Sequence, residues 1–144
     1  MKLDENGYKA LHLREGLKLK PYLDTKGIPT IAMGNTYYVG GRKVTMNDKP
    51  LTLLEAQNLA KIVADDFANK VNALVKSKVN QNQFNALVSL AYNIGINGFS
   101  TSTVLKLINI NPNNQAISPA FMMWTKNKEL IGRRKSEVAQ YFLK

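Results

Sequence analysis

From Leu51 to Lys78 the chain contains neither glycine nor proline, and Ala56, Leu59, Ala60, Val63, Phe67, Val71, Leu74 and Val75 recur at intervals of three and four. That period lays them along one stripe of an α-helix. Thr52 and Glu55 stand three apart just ahead of it, the spacing of a capping box. In that arrangement the hydroxyl and the carboxylate each satisfy an N–H that has no partner inside the helix. The spacing predicts one amphipathic helix over about 52–78, longer than the usual three turns. A helix of that length serves as a strut, with a lobe at either end.

The two flanks read differently. Before the strut, Pro21, Gly27, Pro29, Gly34, Gly40 and Gly41 punctuate short β-favouring pieces. Asp24 to Gly27 reads as a turn and Thr30 to Met33 as a strand. Tyr37 to Val39 and Arg42 to Val44 read as a hairpin closed by Gly40 and Gly41. Ahead of this small sheet, residues from about Asp4 to Arg14 read as a helix, with Gly16 as its stop. After the strut the signals are helical. Asn80 and Gln83 repeat the cap pattern before Phe84, Leu87, Val88, Ala91 and Ile94, and Gly95 ends that stripe. Ser100 to Thr103 cap a short helix carrying Val104, Leu105, Leu107 and Ile108. Ser118 and Pro119 open another over Ala120 to Thr125. The last helix is expected from Gly132 to Leu143, with Val138, Tyr141 and Phe142 inward. The fold class is α+β in two lobes: a sheet lobe at about 16–50, a linking helix at about 52–78, and a helical lobe at about 80–144 on which the N-terminal helix packs.

Composition narrows the chemistry. The 144 residues include no Cys, which excludes a disulfide framework, a thiol nucleophile and thiolate metal sites. The single His, His12, is too little for a multi-histidine metal site or a comfortable serine-hydrolase triad. No metal and no cofactor is therefore expected. Twenty Lys and Arg against ten Asp and Glu give a net charge of +10, which steers the protein toward polyanions. Nucleic acid, an anionic membrane surface and an anionic wall polymer all qualify. No apolar run approaches the roughly 18 residues of a membrane helix. The first residues, Met1 to Gly7, are polar where a secretion signal would be apolar, so a soluble protein starting in the cytoplasm is expected.

The informative stretch is Arg14 to Gly34. Glu15 and Asp24 stand nine apart and flank the passage from helix to sheet, and Thr30 follows six after Asp24. Paired carboxylates are what glycoside hydrolysis requires: one protonates the leaving oxygen, the other handles the attacking water or the developing positive charge. The pattern Glu-Gly, then Tyr-x-Asp-x-x-Gly-x-x-Thr-x-Gly-x-Gly, matches at Glu15, Gly16, Tyr22, Asp24, Gly27, Thr30 and Gly34. A second block runs from Ala91 to Gly95 with Gly98, Phe99, Ser102 and Thr103. A third comprises Trp124, Gly132, Arg133, Arg134 and Glu137. In this order the three blocks resemble the bacteriophage-type lysozymes, the endolysins that cut bacterial peptidoglycan, and together they cover nearly the whole chain.

The resemblance implies a lysozyme-like fold and hydrolysis of the β-1,4 bond between N-acetylmuramic acid and N-acetylglucosamine, with inversion. It implies Glu15 as general acid and Asp24 and Thr30 as the residues that position water. The negative end of the helix dipole and burial in a cleft would both favour the protonated form of Glu15. Asn35, Asn93 and Arg134 are the implied substrate-binding residues, with Arg134 expected to pair with Glu15 when substrate is absent. Its bland alternative is a solvated basic helix face. His12 is expected to be solvent-exposed. Ala32 and Asn35 depart from the family pattern, where Gly and His are usual. The partners implied are peptidoglycan and a separate membrane pore-former (a holin) that releases the enzyme from the host cytoplasm to the wall; the protein is expected to be a monomer with no nucleic acid bound. Two other readings remain: a catalytically inactive wall-binding protein on the same fold, and a basic nucleic-acid-binding helical domain, although no signature of the latter is present.

Overall fold

The computed structural model describes residues 1–144. In chain order its elements are α1 (Glu5–Glu15), β1 (Lys18–Leu23), β2 (Pro29–Ala32), α2 (Leu53–Leu74), α3 (Gln81–Ile94), α4 (Ile96–Ser100), α5 (Thr103–Ile110), α6 (Ile117–Phe121) and α7 (Lys128–Tyr141). The chain divides into two compact units, one of residues 8–65 and the other of residues 1–7 and 66–144. The division falls inside α1 and inside α2. The sequence assigns α1 to the helical lobe, whereas the structure groups residues from Tyr8 onward with the sheet. Side chains account for this. Tyr8 donates its hydroxyl to Asp65, and Lys61 lies over the Tyr8 ring, all within residues 8–65. Asp4 accepts from the Asn85 side chain, which ties the first residues to the helical unit.

In the sheet unit β1 and β2 pair antiparallel, with Lys18 opposite Ala32, Tyr22 opposite Thr30 and Leu23 opposite Pro29. The register slips between Lys18 and Tyr22. Pro21 lies in that interval and has no N–H to give a ladder, so a bulge is the natural accommodation. Ile31, Ala32, Val44, Ala56 and Leu59 form the core under this pair. The hairpin expected at 37–44 is not a strand pair; it is reduced to a single bridge between Tyr37 and Lys43. Backbone bonds from Tyr38 N to the Arg42 carbonyl and from Val44 N to the Thr36 carbonyl close that loop, and Asp48 braces it. Its carboxylate accepts from Tyr38 Oη at 2.7 Å, from Thr45 N at 2.9 Å and from Thr45 Oγ1 at 2.7 Å, and it pairs with Arg42 at 3.2 Å. Those donors, the Thr45 N–H first, hold the Asp48 carboxyl well below the usual carboxylate range.

The capping box at the head of α2 forms, with Thr52 N donating to Glu55 at 2.9 Å and Glu55 N to Thr52 Oγ1 at 3.2 Å. The helix ends at Leu74, four residues sooner than its pattern suggests. Asn109 causes this: its amide donates to the Leu74 carbonyl at 3.1 Å and accepts from Lys76 N at 2.7 Å, meeting the groups another turn would have used.

In the helical unit α3 is the central element, buried along its length from Gln83 to Ala91. Asn80 and Gln83 form its capping box, and Ser102 caps α5. α6 starts at Ile117, before the expected Ser118-Pro119 signal, and carries no side-chain cap on its own first turn. The turn is organised from upstream, where Asn114 Oδ1 accepts from Ala116 N at 2.9 Å. α7 starts at Lys128 rather than Gly132 because Asn127 caps it, accepting from Leu130 N at 3.2 Å. Its buried face is Arg134, Glu137 and Tyr141, with Val138 and Phe142 half-buried.

Candidate active site

Glu15 is the last residue of α1, and Gly16 ends the helix there. Gly16 has φ +69° and donates to the His12 carbonyl at 2.8 Å, the conformation glycine adopts without steric penalty. Glu15 is thereby half-buried at a helix C-terminus, immediately before β1. β1 leads to Tyr22, and the turn that follows is built around Asp24. The Asp24 Oδ1 accepts from Lys26 N at 2.8 Å and from Ile28 N at 2.9 Å, and the Asp24 carbonyl accepts from Gly27 N at 3.0 Å. One carboxylate oxygen therefore fixes the turn and leaves Oδ2 for other work. β2 then carries Thr30 directly opposite Tyr22. Thr30 is buried, and its hydroxyl donates to the Ile28 carbonyl at 2.8 Å. With its proton committed, the Thr30 oxygen is left as an acceptor.

Tyr22 links these groups electrostatically. Its phenol is pushed up first by burial, then by the charge of Asp24, then by that of Glu15. Both carboxylates thus act on the phenol of the residue paired with Thr30. Asp24 lies in the turn of one short antiparallel pair, Thr30 lies on its second strand opposite Tyr22, and Glu15 ends the helix that leads into it. Sequence reasoning quoted Tyr22 within the motif but gave it no role. The signal was its position opposite Thr30, which alternation along a two-stranded ladder makes predictable once the turn is placed.

Asn35 is tied into the sheet unit. It is buried, its Nδ2 donates to the Leu59 carbonyl at 3.0 Å, and its Oδ1 accepts from Met33 N at 3.2 Å. Both ends of its amide serve the core. Ala32, one of the two departures from the family pattern, has φ +60°, the left-handed region that a side chain other than glycine's rarely adopts. His12 differs from expectation too. It is half-buried, its Nε2 is buried without a hydrogen-bond partner, and its imidazole is held below the usual range by burial and then by the charge of Lys61.

Asn93 and Arg134 belong to the helical unit. They line a cavity of about 580 Å3 together with Ile94, Trp124, Lys126 and Leu130 among others. Arg134 is fully buried, so it is no solvated helix face. Its Nε donates to the Trp124 carbonyl at 3.0 Å, its Nη1 to Glu137 at 2.5 Å, and its Nη2 to the Asn93 Oδ1. A carboxylate that answers it is Glu137, one helical turn on. Glu137 is buried as well and also accepts from Ser89 Oγ and from Arg133 Nε. The spacing of Glu137 at three from Arg134 and four from Arg133 was the available signal.

Comparison with known proteins agrees with this architecture. The phage lysozyme family model matches residues 12–137. The chain is 37% identical over 145 residues to the endolysin of Salmonella phage P22, an alignment spanning 98% of each chain. A crystal structure of a P22 lysozyme mutant superposes with a TM-score of 0.89 at 37% identity, covering 99% of each chain. The muramidase domain of SpmX from Asticaccaulis excentricus superposes with a TM-score of 0.85 at 27% identity, covering 99% of each chain. A family model spanning nearly the whole length and full-length relatives above 30% identity leave one assignment: the chain belongs to the phage lysozyme family and is a lysozyme-type glycoside hydrolase.

Proposed function

We propose that this enzyme hydrolyses the β-1,4 bond between N-acetylmuramic acid and N-acetylglucosamine in bacterial peptidoglycan, with Glu15 as general acid and Asp24 and Thr30 positioning the water. The observation that carries the reading is the arrangement around β1: Glu15 ends the helix before it, and Asp24 builds the turn after it with one carboxylate oxygen. The kinship with a muramidase domain supports the choice of bond.

The steps follow from the donors and acceptors. Glu15 gives its proton to the bridging oxygen as the bond from that oxygen to the anomeric carbon breaks, and positive charge spreads over the ring oxygen and the anomeric carbon. Asp24 serves as the base, its Oδ1 held by the two turn N–H groups. Its Oδ2 takes a proton from water as the water oxygen bonds to the anomeric carbon. Thr30 accepts the second O–H of that water, because its own proton is given to the Ile28 carbonyl. One displacement of this kind inverts the anomeric centre. The net charge of +10 serves approach to the anionic wall. The same reading gives passage through the inner membrane to a separate pore-forming protein, and has the enzyme act as a monomer.

Digestion of purified peptidoglycan by the parent and by Glu15→Gln tests this. New reducing ends on N-acetylmuramic acid from the parent, with a loss of at least about 100-fold in the variant, are expected. Anhydro ends would mean a transglycosylase instead, and lysis near the parental rate by Glu15→Gln would remove Glu15 from its role.

A further inference from the structure

Glu137 is a fully buried carboxylate that plays no part in the proposed chemistry. Burying an ionised group is costly unless it is paired and hydrogen-bonded, and here every contact is of that kind. Arg134 Nη1 lies 2.5 Å from Oε1, while Ser89 Oγ and Arg133 Nε meet Oε2. The effect is to hold the Arg134 guanidinium in one place. Its remaining donors reach the Trp124 carbonyl on one side and the Asn93 side chain on the other.

A guanidinium has donors only, so the atom of Asn93 that faces it is the carbonyl oxygen. That settles the orientation of an otherwise ambiguous amide. With Oδ1 consumed by Arg134, the Nδ2 of Asn93 is the atom left for other partners, and Asn93 is an exposed residue on the wall of the cavity that Trp124 also lines. We infer that Glu137 is a positioning residue: through Arg134 it locks Asn93 with its N–H donors available to the cavity, which makes that wall selective for a carbonyl oxygen. The ligand class is an amide carbonyl, carried either by the acetamido group of an amino sugar or by the peptide attached to it. The inference rests on the peptidoglycan reading above for its substrate, but its geometry lies entirely within residues 89–137.

Trp124 is the only tryptophan of the chain, so its emission reports on this cavity without any need for turnover. The test uses the full-length Glu15→Gln protein, titrated separately with a soluble N-acetylglucosamine oligomer and with a soluble muropeptide. Asn93→Asp, added to that background, replaces the donor by a second acceptor, while its charge keeps the pairing with Arg134. Its unfolding temperature should hold or rise, and its Kd should weaken about tenfold, the worth of one lost hydrogen bond facing an unpaired carbonyl. Weakening toward the oligomer assigns the acetamido group as the source; weakening toward the muropeptide alone assigns the peptide. Glu137→Gln should weaken the same ligand, and combining it with Asn93→Asp should add little, since both act on one amide. Should Glu137→Gln fail to fold, Glu137→Asp, which keeps the charge and shortens its reach to Arg134, takes its place and should weaken the same ligand; parental binding by that variant overturns the role of Glu137. In the active background Asn93→Asp should raise KM and leave kcat within about twofold, a split that a loss of folding would not give. The inference is overturned if Trp124 emission responds to neither ligand, or if Asn93→Asp binds both within about twofold of its background. Reducing ends that still appear with Glu15→Gln would count against the catalytic assignment alone and leave the binding result intact.

Discussion

Asn35 donates its side-chain amide to the carbonyl of Leu59, 3.0 Å away, and so fastens the turn after β2 to the first half of α2. The other end of the same amide receives the Met33 N–H. Removing the side chain would take its partner from the buried Met33 N–H and a second donor from the Leu59 carbonyl, a loss of about 1–3 kcal/mol. Asn35→Ala is therefore expected to lose about 1–3 kcal/mol of stability, read as a fall in the denaturant midpoint with m unchanged. A residue that instead bound sugar would raise KM in the variant and leave the midpoint where it was.

Ala32 occupies a backbone conformation that costs a side chain other than glycine's about 1–2 kcal/mol. Glycine would relieve that strain. It would also add about 0.5–1 kcal/mol of unfolded-state entropy and remove a buried methyl group worth about 0.8 kcal/mol. The terms nearly cancel, which explains how alanine is tolerated where the family pattern has glycine. Ala32→Gly should thus change stability by less than about 1 kcal/mol. Ala32→Val should cost more than about 3 kcal/mol, because a β-branched residue is a true outlier at positive φ and the site has no room for two more carbons. Equal stability of the two variants in thermal unfolding would show that the conformation at Ala32 is not left-handed in solution.

Tyr22 offers a spectroscopic check on the grouping of the acids. Its phenol is raised by burial, by Asp24 and by Glu15, in that order. Glu15→Gln and Asp24→Asn each remove one negative charge and should each lower the Tyr22 pKa, Asp24→Asn by the larger amount. Tyrosine-selective NMR titration of the three proteins measures it. A Tyr22 pKa unmoved by Glu15→Gln would place that carboxylate out of reach of Tyr22. Both variants should also lose lysis, Glu15→Gln the more completely, since a water network can substitute in part for a base but not for an acid held in place.

Much of this was legible because local chemistry and global structure agree. Thr52 with Glu55, Asn80 with Gln83, and Gly16 each mark a helix end by a mechanism confined to a few neighbouring residues. The motif acids were legible for the same reason, since the Asp24 turn forms from its own N–H groups. What sequence could not carry were effects of distant partners. Asn109 stops α2 from a position 35 residues away. The segment 37–44 keeps backbone bonds from Tyr38 N to Arg42 and from Val44 N to Thr36 but only one bridge, and the side-chain bonds that brace it come from Asp48, outside the hairpin. For Arg134 the sequence offers Glu15 or solvent as partner, and the spacing of three to Glu137 is the one local sign of the buried pair that forms.

His12 should make the stability of residues 8–65 depend on pH near neutrality. The groups around it are Lys61 and Asp65 of α2 and Tyr8 of its own helix, whose ring is tilted 6.3 Å from the imidazole. Asp65 is occupied by the Tyr8 hydroxyl, so the nearby charge acting on the imidazole is the cation of Lys61. Burial first, and Lys61 second, lower the folded-state pKa below the ordinary 6.5. Between the two values the unfolded chain binds a proton that the folded chain does not. Stability therefore rises with pH across that window, is complete above about 6.5, and is lost as pH falls through the window. Thermal unfolding of the parent should show a drop in Tm between pH 7.5 and 5 that His12→Gln lacks. Lys61→Met should leave the parent with a smaller drop, since it removes the second cause and keeps the first. Identical slopes for the parent and His12→Gln would mean that the imidazole titrates alike folded and unfolded, and that the buried Nε2 is reached by water.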